Sequence, residues 1–72
     1  MGQNDLEADL TGLTGRISVP VSSERPGEII VSVRGGREAF TAYTTGDESL
    51  SLNARAVVVE RTGARTVLVT GC

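Results

Sequence analysis

The sequence predicts a small all-β barrel built from five short strands, and three observations carry that prediction. Apolar residues recur with period two from Gly12 onward, as they do in half-buried strands. Gly, Pro and Asn punctuate the runs at hairpin spacing. No stretch sustains the apolar period of a helix longer than about a turn, so nothing is available to cover an open sheet. A flat sheet would leave its apolar face wet, whereas a sheet closed on itself covers that face.

Residues 1–11 read as a flexible polar lead-in, with Asp5, Glu7 and Asp9 alternating with Leu6, Ala8 and Leu10. Residues 12–72 read as one barrel domain, the most that 72 residues support. In the first strand, GRISVPV, alternation places Ile17, Val19 and Val21 on one face. Pro20 cannot donate to a ladder and requires an edge or a bulge. Pro26-Gly27 closes a turn. EIIVSV then sets Ile29, Val31 and Val33 together, and Gly35-Gly36 is the expected two-residue turn. In the third strand Phe40 and Ala42 point inward, which turns Thr41 and Tyr43 outward. The loop GDESLSLNA is expected to tuck Leu52 inward and to use Asn53 in a left-handed conformation. RAVVVER is expected to bury Val57 and Val59, TGAR to turn, and TVLVT to bury Val67 and Val69.

The residue inventory excludes much chemistry. All seven basic residues are Arg, and the chain has neither His nor Lys. Ser-His, Cys-His and Ser-Lys nucleophile arrangements are therefore impossible within it. The missing Lys also rules out a lipoyl- or biotin-carrying barrel and a Gly-Lys-Ser/Thr phosphate loop. Cys72 stands alone, so the chain forms no internal disulfide and no cysteine-based zinc site. No cofactor is expected. No apolar run approaches the roughly 20 residues of a membrane span, and the start, MGQNDLEADL, is unlike a signal peptide. The chain thus reads as a soluble protein or a soluble piece of a larger one.

What remains is sparse. Asp47-Glu48 is an acidic pair in a loop, and Glu28 and Glu38 lie near the two ends of the central hairpin. A metal or acid-base site would need them to converge, and the bland alternative is solvated loop charge. Small five-stranded barrels also bind single-stranded nucleic acid with stacked aromatics and a basic groove. Here Phe40 and Tyr43 are the only aromatic residues, and strand parity exposes only one of them. The net charge of −2 supplies no electrostatic funnel, so no nucleic acid partner is expected. Arg34 and Arg37 flank the glycine turn. They either contact a partner's carboxylate or phosphate or keep a hairpin end soluble. With Tyr43 they form the candidate partner-binding set on the outside of the hairpin.

The segments LTGRISVPV, RPGEIIVSVRGGREAFTAYT and LNARAVVVERTGARTVLV together resemble the C-terminal domain of NfeD-like membrane proteins. Gly12 and Gly15 match the family's Gly-x-x-Gly opening, and Pro26-Gly27 its second turn. Ala42 matches its strand-three Ala, while Val57, Val59, Val67 and Val69 match the last two strands. The likeness covers roughly residues 12–70. Asn53 stands where the family has Gly, and it tolerates the same left-handed geometry.

The resemblance implies an oligonucleotide/oligosaccharide-binding-type barrel without the usual helix between strands three and four. It implies a non-catalytic adaptor role beside a membrane scaffold protein of the stomatin or flotillin type. Membrane attachment would come through helices outside this chain, with the barrel on the cytoplasmic face and no membrane insertion by this segment. Longer family members carry a serine protease domain with a Ser-Lys pair, which a chain without Lys does not contain. The competing reading is a single-stranded nucleic-acid-binding barrel, suggested by fold analogy.

Overall fold

A computed structural model describes residues 10–72. Among them are five strands: β1 (Thr14–Val19), β2 (Gly27–Val33), β3 (Gly36–Tyr43), β4 (Arg55–Gly63) and β5 (Thr66–Gly71). They close into a barrel in the order β1-β2-β3-β5-β4, with β4 returning to β1. Neighbours are antiparallel except β3 and β5, which run parallel through Thr41–Thr66, Ala42–Val67 and Tyr43–Leu68. The β3–β4 connection contains turns and no helix, so the expected barrel without its helix is the fold observed. Of the lead-in expected over residues 1–11, residues 1–9 lie outside the described residues. Leu10 is buried in the core and Thr11 is exposed.

The core consists of alternate residues from all five strands plus anchors from the connections. Ile17, Ile29, Val31, Phe40, Ala42, Ala56, Val58, Val67 and Val69 fill the interior, joined by Leu10, Val21 and Leu50. Val33 packs against this cluster from the barrel end. Residues 10–13 dock on β4 through backbone bonds. The Gly12 N–H donates to the Val58 carbonyl at 2.8 Å, and the Val58 N–H to the Leu13 carbonyl at 2.9 Å.

Close approach of backbones requires glycine at two places. A Cβ on Gly27 would collide with the carbonyl oxygens of Val19 and Pro20, and one on Gly15 with the carbonyl of Ile30. These contacts let β2 cross tightly over β1.

Four expectations are corrected. First, β4 presents Ala56 and Val58 to the core, while Val57 is half-buried and Val59 is 46% exposed. Ala56 stands opposite Gly15, so a small pair fills the narrow interior there. Second, a bulge between Ile17 and Val19 breaks the β1 alternation and exposes Val19. Third, Leu50 rather than Leu52 is the loop anchor. Leu50 exchanges backbone bonds of 2.9 and 3.0 Å with Val21, leaving Leu52 exposed.

Fourth, the central residues of the β2–β3 turn are Arg34 and Gly35, not Gly35 and Gly36. Their φ angles are 53° and 82°, as a type I′ turn requires. Gly36 instead opens β3 opposite Val33. The expected turn would have put Arg34 directly across from Arg37, an unfavourable like-charge pair. The observed register pairs Arg37 with Ser32. Asn53, at φ 72°, takes the left-handed conformation expected of it.

Candidate interaction surface

The three predicted contact residues all lie on the outside of the β2–β3 hairpin, but the fold does not gather them. Arg34 sits at the turn tip, in a backbone conformation that Asn or Gly adopts more easily. Arg37 follows three residues later on the outer wall. Tyr43 ends the same strand six residues on, roughly 20 Å away at the strand rise per residue. Two separate surfaces result.

At the Tyr43 end the parallel pairing sets Tyr43 beside Leu68. Leu68 in turn faces Glu60 of β4, with Val59 the extra residue of a bulge between Val58 and Glu60. Tyr43 is 44% exposed, Val59 46%, and Leu68 half-buried. An apolar row thus crosses three neighbouring strands on the barrel's outer wall. The sequence hides this row, because its alternation puts Val59 inside and gives Leu68 no signal.

At the Arg37 end is a cleft of about 590 Å³ over β1 and β2, lined by Thr14, Arg16, Ile30, Ser32, Arg37, Asn53 and Arg55, with Gly15 between them. Pairing explains the convergence. Arg16 stands directly between Arg55 of β4 and Ile30 of β2, and Ser32 stands opposite Arg37. Arg16 and Arg55 carried no functional signal in the sequence, since nothing before the barrel closes brings β4 against β1.

The carboxylates serve the framework. Glu48 accepts hydrogen bonds from the Thr70 hydroxyl at 2.9 Å and the Gly71 N–H at 2.7 Å, fastening the long loop to the end of β5. Glu28 accepts from the Ser18 hydroxyl at 2.6 Å beside the β1 bulge. Glu38 faces Arg65 at 3.6 Å with both side chains well exposed. Asp47 is exposed next to Glu48. Among the described residues no three acidic, cysteine or histidine side chains come together as metal ligands. Nor is any helix there long and apolar enough to cross a membrane.

Comparison with known proteins places this barrel among relatives. The family model described as the NfeD C-terminal domain matches residues 14–70. The solved C-terminal domain of stomatin operon partner protein 1510-C from Pyrococcus horikoshii is similar at a TM-score of 0.69. It is 24% identical, over 88% of each chain. The solution structure of the soluble domain of the NfeD protein YuaF from Bacillus subtilis is similar at a TM-score of 0.70. It is 22% identical, over 96% of this chain and 76% of that one. No curated protein matches.

Proposed function

Because the chain belongs to the NfeD C-terminal domain family, we propose that it is a non-catalytic interaction barrel docking on a membrane scaffold protein of the stomatin or flotillin type. The observation that carries this reading is the exposed row of Tyr43, Leu68 and Val59 across β3, β5 and β4. A tyrosine flanked by aliphatic side chains on a rigid sheet is the kind of anchor that dominates protein interfaces. Two further facts support the reading. A structural neighbour is a stomatin operon partner protein. The chain also lacks His and Lys, the side chains most often used for proton transfer and nucleophile activation. The barrel then sits at the cytoplasmic face of the membrane, held by helices outside this chain. A photo-crosslinking residue in place of Tyr43, in the membrane protein carrying this domain, is expected to capture a scaffold protein of that type. Equal capture from the exposed loop residue Ser23 contradicts the reading.

A further inference from the structure

Three of the chain's seven arginines converge on the cleft over β1 and β2, in a protein whose net charge is −2. Two of them, Arg16 and Arg55, are direct cross-strand partners. Backbones at such positions lie about 5 Å apart, and like charges set opposite each other destabilise a sheet. None of the six acidic residues among the described ones lines the cleft, and no carboxylate of these six lies within ion-pair distance of Arg16, Arg37 or Arg55. Exposed arginines on other parts of the barrel are handled differently. Arg65 pairs with Glu38, and the β2–β3 register avoids setting Arg34 against Arg37. Folding therefore supplies no reason for the arrangement in the cleft.

We propose that this cleft binds an acidic peptide segment of a protein partner, its carboxylates held by Arg16, Arg55 and Arg37. The guanidinium fork takes a carboxylate in a bidentate manner. Thr14, Ser32 and Asn53 add neutral hydrogen-bonding groups around the arginines, and half-buried Ile30 offers an apolar floor for side-chain methylenes. The volume falls within the ordinary range for ligand sites. Extended chain rises about 3.3 Å per residue, so carboxylates on alternate residues recur about every 7 Å. That spacing suits arginines distributed over neighbouring strands. A peptide fits better than a nucleic acid, because no aromatic side chain lines the cleft for a base to stack on. The choice of a peptide rests on the interaction reading above, but the cleft and the Tyr43 row share no residue.

The test is an NMR titration of the isotope-labelled 72-residue chain with a capped Glu-Ser-Glu-Ser-Glu peptide at low salt. The parallel arms are its Gln counterpart, inorganic phosphate and a short oligothymidine. Saturable shifts confined to amides around residues 14–16, 30–32 and 53–55, seen with the Glu peptide and weakened by salt, are expected. Arg16→Gln and Arg55→Gln should each weaken binding about tenfold, the loss of one charge-assisted hydrogen bond. Each should also raise the melting temperature of the free chain, because it relieves the cross-strand repulsion. No cleft shifts at millimolar peptide overturns the proposal, as does an equal response to the Gln peptide. A stronger response to phosphate or oligothymidine at equal concentration also overturns it. Crosslinking from Tyr43 is unaffected by any of these outcomes, so the two readings fail separately.

Discussion

The Arg65 guanidinium lies 5.4 Å from the centroid of the Phe40 ring, joining the β4–β5 turn to the wall of β3. Its Nη2 also donates to the Ala39 carbonyl at 2.9 Å, and its own carbonyl accepts from the Thr41 N–H at 2.8 Å. These contacts lock the start of the parallel β3–β5 seam, which is three residue pairs long. Arg65→Ala is expected to lower the unfolding free energy by about 1 kcal/mol. Glu38→Ala should change it by less than about 0.5 kcal/mol, since the exposed ion pair adds little. Urea midpoints decide: equal losses would make the ion pair, not the ring contact, the tie.

Gly27 allows β2 to pass over the end of β1, where a methyl group would strike the Val19 and Pro20 carbonyls. Backbone atoms cannot swing aside as side chains do. Gly27→Ala should therefore destabilise the barrel by roughly 2–3 kcal/mol, as overpacking does. Gly63→Ala is the control, because its methyl would meet only Thr66 atoms at 3.5 Å. Thermal melts showing the two variants alike would refute the tight crossing.

The facing of β4 is open to direct measurement. Val58 is 1% exposed and Val59 46%. Val58→Ala should cost about 2 kcal/mol of stability and Val59→Ala less than about 0.5 kcal/mol. Chemical denaturation giving the reverse order would restore the facing expected from the sequence.

Glu48 holds the loop of residues 44–54 to β5 through the Thr70 hydroxyl and Gly71 N–H. Glu48→Ala should destabilise the chain by roughly 1–2 kcal/mol and speed hydrogen exchange at Gly71. Glu48→Gln keeps an acceptor and should slow that exchange again. Unchanged exchange in the Ala variant would show the loop is fastened elsewhere.

Period-two alternation made β2, β3 and β5 legible, because each mixes one apolar and one polar face. It failed on β4, where Ala-Val-Val-Val is apolar on both faces and parity is undetermined. The larger residues are the expected core, but the position facing inward opposite Gly15 belongs to Ala56. Val19 was lost to a bulge, which shifts side-chain facing without changing composition. The sequence puts Arg37 and Tyr43 on the outside of the hairpin, and both are exposed. Their different neighbours, Arg16 and Arg55 for one and Leu68 and Val59 for the other, come from strands far away in sequence. Only closure of the barrel brings such residues together.

The interaction role is tested most directly by titrating the labelled chain with a stomatin-type protein from the same organism and following backbone amide shifts. Saturable shifts centred on Tyr43, Leu68 and Val59, abolished by Tyr43→Glu in a variant that keeps its folded spectrum, are the predicted result. Absence of any shift at high micromolar concentrations of both proteins, or binding indifferent to Tyr43→Glu, would contradict it.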